Sequence, residues 1–515
     1  MLGIDPSRRG FPLLTGLALA LAGCRPGPKV PSDTLVVAIE SEVRNLDLRQ
    51  SADQNAVHLT TLLTQRLVGF GDDFRPEAEI ALDWTESDAR LFRFRLPSDV
   101  TFHDGTPLNC EHVLFNFEDA AFSPKSRVRS NFADVKSMRC ENPTSFVIEL
   151  KEPRPSFVAQ AVTSLNIFPK HLVNEPGFGS HPVGSGPYRF VERRGRDILF
   201  ERFEGLRRRR AGRDLPAPRF KRIVVRTIED PVTRYLSLVG GDVEIVFNGL
   251  SPKKVQEAEK DPRLQVLRGP GSSYTYIGIN HRHAKLKDLR VRQALAYALD
   301  RESLIRHKLL GSARLASTLI SPLSYFSNGD LKAWPFDPAK ARALLEKADA
   351  MGLELEFKTS ADRDVVSMAL ALKDQLEKAG FRIRLRSMEF PSFFADVQAG
   401  RFDLFTLRWT SVVDPELLHK IFHSSQLPPG RNRGAYANAE VDAGLERATR
   451  ELDPLRRRQE LFKVQALLAD DLPYVSLWYP DNVIVASKSL RQLRLHPSGS
   501  WQPLFEAHKD EESPR

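Results

Sequence analysis

Between residues 353 and 407 the apolar positions switch between two periods. Leu353, Leu355 and Phe357 alternate with polar neighbours, the two-residue period of a strand. From Val365 to Lys378 the apolar residues fall at helical spacing, and Gly380 just beyond them supplies a C-terminal stop. Phe381-Arg382-Ile383-Arg384-Leu385-Arg386 alternates strictly and predicts a second strand. A short helix over Pro391 to Gln398 and a third strand over Phe402 to Leu407 complete the series. Strand–helix–strand order requires right-handed crossovers and predicts a largely parallel sheet. Ligands of such sheets sit beyond the carboxyl ends of the strands. The segment Trp409 to Pro415 leaves the third strand at that end, so ligand contacts are expected there.

The earlier chain reads as a mixture of strands and helices. Thr34 to Ile39 is a continuous apolar run, the pattern of a buried strand, and Leu91 to Leu96 alternates as a half-exposed one. Asp104-Gly105 marks a tight turn, and a helix starts over Val113 to Phe117. Ser145 to Leu150 is a strand stopped by Pro153 and Pro155. Pro182 to Tyr188, rich in Gly and Pro, marks a domain return before strands at Arg189 to Glu192 and Arg222 to Arg226. A helix over Pro231 to Leu238 and a strand over Val243 to Phe247 follow. A chain of 515 residues is too long for one core, so two or three domains are expected.

The first residues change the picture. Arg8 and Arg9 precede a short apolar stretch, Leu13 to Ala22, which ends in Leu21-Ala22-Gly23-Cys24. About ten apolar residues are too few to span roughly 30 Å of hydrocarbon as a helix, so residues 1–23 read as a removable export signal. The small residues before Cys24 resemble a lipobox, which implies cleavage before Cys24 and its acylation. Ser7-Arg8-Arg9-Gly10-Phe11 also resembles a twin-arginine export motif, from which Pro12 departs. Residues 24–32 then read as a lipid-anchored tether, holding the protein in the periplasm or at the outer face of the cytoplasmic membrane. In that compartment the two remaining cysteines, Cys110 and Cys140, are candidates for a disulfide.

The formal charge is +9, but the basic residues are spread along the chain, without the basic stripe and interleaved aromatics of a nucleic-acid binder. The one dense run, Arg207 to Arg210, reads as a solvated loop, with weak attraction to anionic lipid as the alternative.

Several stretches together resemble the peptide and nickel-chelate class of solute-binding proteins, family 5. Phe102-His103-Asp104-Gly105-Thr106-Pro107 is similar to its F-x-D-G-x-P turn, and Gly184-Ser185-Gly186-Pro187-Tyr188 to its G-T/S-G-P-Y element. Asn280, Leu289 to Leu295 and Asp300-Arg301 are similar to its N…x-R-V-R-Q-A-L…D-R segment. Phe381 through Asp403, and Asn438 to Asp442 with Asp471-Leu472-Pro473, follow in order. The resemblance implies an α/β, periplasmic binding protein-like fold: two lobes with mixed sheets and an additional inserted subdomain, type II and cluster C-like. It places lobe I at 33–50, 183–270 and 478–507, the inserted subdomain at 51–182 and lobe II at 271–477. It also implies a monomer without cofactor or resident metal that passes a peptide or other small solute to ABC permease and ATPase subunits. Most of the motif residues are expected to be structural: the glycines at special backbone positions, Arg292 and Asp300 in packing or capping.

In peptide-binding members a carboxylate in the loop after the Trp pairs with the peptide's α-ammonium. Here the loop reads Trp409-Thr410-Ser411-Val412-Val413-Asp414-Pro415, with Val412 where the family commonly has Asp. Asp414 either takes over that contact or caps the helix that follows Pro415. Trp409 is a wall of the cleft or a core filler. Thr410 and Ser411 are candidate contacts, as are Glu40, Ser41 and Glu42 at the end of the first strand, where a solvated loop is the other reading. His419 and His423 are four apart on a predicted helix, but without a third ligand they read as a packed pair rather than a metal site. A metal chelate, an opine or an oligosaccharide remains an alternative ligand to peptide. The chain contains no G-x-S-x-G, no H-E-x-x-H and no P-loop, so a secreted hydrolase is disfavoured; a ligand sensor is the remaining alternative.

Overall fold

The strand Thr34–Ile39 is buried at every position, because parallel neighbours flank it on both sides, Arg222–Thr227 and Ile245–Phe247. It belongs to a twelve-stranded sheet in a computed structural model that describes residues 30–49, 54–410, 412, 414–428 and 430–510. The expected export signal, Cys24 and Ser411 lie outside the described residues. From one edge the sheet runs Arg382–Met388, Glu354–Ser360, Leu404–Trp409 and Tyr274–Ile279, then Tyr474–Ser487. It continues through Ile245–Phe247, Thr34–Ile39, Arg222–Thr227, Asp197–Arg202 and Tyr188–Arg194.

The 14-residue strand Tyr474–Ser487 joins two halves of the molecule. Its first part pairs with Tyr274–Ile279 and Ala313–Leu315, and its second with Ile245–Phe247 and Leu264–Pro270. Separate apolar cores lie on either side. One gathers Leu35, Val37, Ile223, Val225 and Trp501, and another gathers Ile277, Leu295, Leu355, Phe357 and Leu372.

The period changes along 353–407 become Glu354–Ser360, the helix Arg363–Ala379, Arg382–Met388, the helix Phe390–Gln398 and Leu404–Trp409. Asp362 caps the long helix, and Gly380 closes it at φ 114, a left-handed conformation that glycine adopts without a Cβ penalty. Arg382, Arg384 and Arg386 point outward from an edge strand while Ile383 is buried, which explains the strict alternation. The expectation of a largely parallel sheet is corrected. Glu354–Ser360 is parallel to both of its neighbours, but Leu404–Trp409 meets Tyr274–Ile279 antiparallel, and that strand meets Tyr474–Ser487 antiparallel. The central strands arrive from distant parts of the chain rather than through a helical crossover, so no handedness rule imposes parallel pairing.

A four-stranded antiparallel sheet, in the order Asp83–Ser87, Leu91–Arg95, Ser145–Leu150, Val135–Asn142, packs on the helix Cys110–Phe122 around its own aromatic core of Phe92, Phe94, Phe102, Phe117, Phe146 and Phe157. Cys110 and Cys140 form a disulfide that ties this helix to the strand Val135–Asn142. Glycines fix how this part meets the large sheet: a Cβ on Gly184 would stand 2.0 Å from the Leu63 carbonyl oxygen, and one on Gly186 would stand 2.4 Å from the Leu63 carbonyl carbon. Arg292 donates to the carbonyls of Leu286, Lys287 and Asp471, and Asp300 caps the helix Arg301–His307, so both act within the fold.

Candidate functional site: a charged cavity closed by one loop

A cavity of about 480 Å³ opens among the helix Gln54–Leu63, the hairpin Val68–Phe70 with Pro76–Ala78, the segment 159–166 and the C-terminal segment 494–506. Its volume falls within the roughly 300–1,000 Å³ of small-molecule sites. Among the described residues, Asp414 alone lines it from the chain between 271 and 477. The loop after Leu404–Trp409 thus reaches across to the other half of the molecule.

Asp414 serves its helix as well. Its Oδ1 accepts from the Glu416 amide at 2.8 Å, so the residue steadies the start of the helix Glu416–Phe422 while facing the cavity. Burial raises its pKa above the usual carboxylate value, aided by the neighbouring charge of Glu416 and opposed by Arg457 and Gln160. No cation forms an ion pair with it among the described residues. Glu416, two residues on, is the opposite case. Burial works to raise its pKa, but Arg154, Lys420 and Ser156 outweigh it and hold the carboxyl below the usual range. Arg154 and Ser156 both donate to Glu416, with the Arg154 and Glu416 side chains only 7% and 11% exposed. Lys420 reaches Asn131 at 2.9 Å and Gln160 at 3.0 Å. These contacts join residues 131–160 to residues 414–420 and form a seam beside the cavity.

The Arg207–Arg210 run is not the solvated loop expected. Arg209–Arg210 and Arg213–Asp214 form a small hairpin, because carboxylates from elsewhere in the fold meet its guanidinium groups. Arg209 bonds Asp99 at 2.8 Å and Asp214 at 3.0 Å, and Arg210 bonds Glu77 at 2.6 Å. Arg207 stands 3.5 Å from Asp99. Arg208 turns instead to the cavity, where its guanidinium lies 4.9 Å from the centre of the Phe505 ring. Arg66, Glu79 and His58 line the same cavity. Burial pushes the His58 imidazole down to about 4, so it is neutral at pH 7, and its ring stacks on Trp501. Burial raises the Glu79 carboxyl, and the charge of Arg66 opposes that shift most strongly.

Of the ligand contacts expected from sequence, Asp414 alone lines the cavity among the described residues; Arg208, Arg209 and Arg210 of the arginine run and Pro187 of the Gly184–Tyr188 element line it too. Trp409 stacks parallel to Tyr276 at 6.4 Å, with Arg433 4.6 Å above its ring, and packs against the apolar core behind the strand. Thr410 is exposed. Glu40, Ser41 and Glu42 are exposed at the end of the first strand, where Ser41 accepts from Asn55 and Glu42 pairs with Arg44. His419 and His423 stack at 4.3 Å, and no group of three metal-ligating side chains occurs among the described residues. Arg66, Glu79, His58 and the C-terminal segment left no local signal in sequence, since they converge only in the fold. Arg208 did belong to a visible run.

Comparison with known proteins agrees with this architecture. The family model for bacterial extracellular solute-binding proteins, family 5 (Middle), matches residues 75–426. The chain is 27% identical over 497 residues to the oligopeptide-binding protein AppA of Bacillus subtilis (strain 168), covering 90% of this chain and 89% of that protein. It is 26% identical over 502 residues to the glutathione-binding protein GsiB of Salmonella typhi, covering 94% and 95% of the two chains. The crystal structure of NikZ from Campylobacter jejuni in complex with Ni(L-His) superposes with a TM-score of 0.79 at 27% identity, over 93% of this chain and 100% of that one. No helix among the described residues is long and apolar enough to cross a membrane. The two-lobed α/β fold and the family match lead to one conclusion: this chain belongs to the bacterial extracellular solute-binding proteins of family 5, and it binds a solute rather than transforming one.

Proposed function

We propose that the protein captures short peptides outside the cytoplasm and hands them to an ABC import permease and its ATPase subunits, while anchored to the membrane through acylated Cys24. The lobes, divided at 33–50 with 183–270 and 478–507, at 51–182, and at 271–477, close on the ligand like jaws. The observation that carries the reading is Asp414, a half-buried carboxylate that has no ion-pair partner among the described residues and faces a cavity of about 480 Å³. A buried unpaired charge is costly, and a ligand ammonium at this position would supply the missing partner. The oligopeptide-binding and glutathione-binding relatives agree with a peptide ligand.

The test is a thermal-shift and calorimetric screen of the mature protein against peptides of two to six residues, metal chelates, opines and oligosaccharides. A peptide at 100 times its dissociation constant adds about 2.7 kcal/mol of stability. A screen in which no peptide shifts the melting midpoint and another class does would replace peptide by that class. Labelling the protein with radioactive palmitate in cells, with Cys24→Ser as control, checks the anchor.

A further inference from the structure

The two ends of the strands around Thr34–Ile39 differ in charge. Beyond the carboxyl ends of Thr34–Ile39 and Arg222–Thr227, Glu40, Glu42, Glu229 and Asp230 are exposed, and Arg44 and Arg196 pair with Glu42 and Glu229. The amino end, where the tether joins the fold, is basic. The Asp33 carbonyl accepts from the amides of Lys221 at 2.8 Å and Arg222 at 3.2 Å, and Thr34 pairs with Arg222. On the other side of this end is the turn 488–489, where the Lys488 amide donates to the Arg263 carbonyl at 2.9 Å. Ala486 pairs with Ile245 and Ile245 with Val37, which brings that turn level with Thr34. Three strand spacings of about 4.8 Å separate Tyr474–Ser487 from Arg222–Thr227, roughly 14 Å in all. Arg219, Lys221, Arg222, Lys260, Arg263 and Lys488 are exposed across this end. Lys221 has Asp33 at 3.9 Å and Arg263 has Asp261 at 2.7 Å, while Arg219, Arg222, Lys260 and Lys488 have no ion-pair partner among the described residues. Nearby acids are engaged elsewhere: Glu201, opposite Arg222, is bonded to Arg189 at 2.6 Å, and Asp510 to Arg491 at 2.5 Å. The attachment point itself is held firmly. Lys509 Nζ donates to the carbonyls of Pro31 at 2.8 Å and Thr34 at 2.6 Å and pairs with Glu244 at 2.8 Å. In sequence the tether adds Arg25 and Lys29 with no acid before Asp33, and the last residues add Glu511 and Glu512 against Arg515.

We propose that this basic end is a docking surface for anionic phospholipid, so that the protein rests with the amino end of Thr34–Ile39 against the headgroups and the opposite end of those strands turned away. The inference goes beyond solute capture and leans on acylated Cys24 only to keep the surface close to the bilayer. Residues 24–32 reach at most about 30 Å when extended, so an anchor at Cys24 holds this end nearer the headgroups than any other part of the fold. Electrostatic attraction fades over about 8 Å at physiological ionic strength, so cations far from the tether meet no such surface. Each Lys or Arg held at an anionic surface strengthens attachment about fivefold. Arg219, Arg222, Lys260 and Lys488 give up no ion pair among the described residues when they turn to phosphate. An acyl chain on a tether limits distance but not orientation; a charged face beside the attachment point sets both.

Vesicle sedimentation tests it on the mature chain carrying Cys24→Ser, which removes the acylated thiol. Vesicles of phosphatidylcholine with phosphatidylglycerol are expected to bind the protein, vesicles of phosphatidylcholine alone are not, and high salt is expected to release it. Arg219→Gln, Lys221→Gln and Arg222→Gln together should weaken the binding by about 100-fold, with melting and peptide affinity unchanged. Lys260→Gln with Lys488→Gln, a pair outside that strand, should weaken it by about 25-fold and serves where the triple variant fails to fold. Arg382→Gln, Arg384→Gln and Arg386→Gln remove as much charge from the exposed edge strand of the other half and should change the binding little. No binding to the anionic vesicles overturns the docking surface. An equal loss from the two triple variants also overturns it, because net charge alone would then account for the attraction. Vesicle binding is read without peptide, so a failed peptide screen and a failed vesicle assay are separate results.

Discussion

Two loops approach the cavity from opposite halves of the molecule, and they handle charge differently. The Arg207–Asp214 hairpin carries many charges, and most are cancelled by carboxylates of the fold. The 409–416 loop carries two acids. Glu416 is cancelled by Arg154, and Asp414 is not. Each loop therefore combines structural charges with one that faces the cavity and has no ion-pair partner among the described residues, Arg208 on one side and Asp414 on the other. Charge density along a sequence says little about which charge is available to a ligand; pairing decides that.

The largest effect is expected at the seam that brings the two loops together. Glu416→Ala takes the buried carboxylate from Arg154 and leaves it only the half-exposed Asp134 at 3.7 Å, a change worth up to about 3–5 kcal/mol where the burial persists. A two-lobed protein escapes that cost by opening and returning Arg154 to water. The expected result is a larger radius of gyration in X-ray scattering and at least a tenfold weaker peptide affinity, with a smaller change in melting. An unchanged radius with a large fall in melting temperature would show that the seam belongs to the rigid fold.

Next comes the disulfide on the flank that carries Asn131, Arg154 and Gln160. It closes a loop with a sequence separation of 30, and its removal by paired serine substitution should destabilise the protein by about 2–4 kcal/mol. Calorimetric unfolding of the variant measures this loss, and no change at all would mean the bond constrains nothing in the unfolded chain.

Asp414→Asn separates the two roles of that residue. Asparagine keeps a capping oxygen but not the charge, so peptide affinity should fall by about 10-fold or more. Stability of the ligand-free protein should move the other way. A folded pKa above the ordinary 3.8 means the native state binds the proton more tightly than the unfolded one. Ionised Asp414 therefore costs stability once the pH has risen through the window above 3.8. At pH 7 Asp414→Asn should melt slightly higher than the unaltered protein, and the difference should vanish in acid. The same shift predicts that peptide affinity falls, as pH is lowered, at a higher pH than an ordinary aspartate would give. Titration calorimetry between pH 4 and pH 8 reads this; an inflection at the ordinary value would remove the charge argument.

The smallest effect is expected at Arg207, 58% exposed and 3.5 Å from Asp99. Exposed pairs contribute about 0–1 kcal/mol, so Arg207→Gln should leave both melting and peptide affinity nearly unchanged. A clear fall in either would show that the contact is more than an exposed, screened pair.

Local rules made much of the fold legible. Alternation marked Arg382–Met388, a continuous apolar run marked Thr34–Ile39, and Gly380 stopped its helix at the expected residue, because these signals depend on neighbours a few positions away. The turn motifs and the order of the family elements were equally local. The candidate site was legible only at Asp414, and even there the cap and the cavity contact read as alternatives until the loop was seen to serve both. Arg208 was visible as one of four arginines, without a means of telling it from the rest. What separates it is that Asp99 and Glu77, more than a hundred residues away, satisfy its neighbours and leave it without an ion-pair partner among the described residues. Secondary structure follows from the chain's own spacing, whereas the availability of a charge follows from which distant groups the tertiary fold brings within ion-pair range, and Coulomb attraction at that range is set by distance in space, not by separation in sequence.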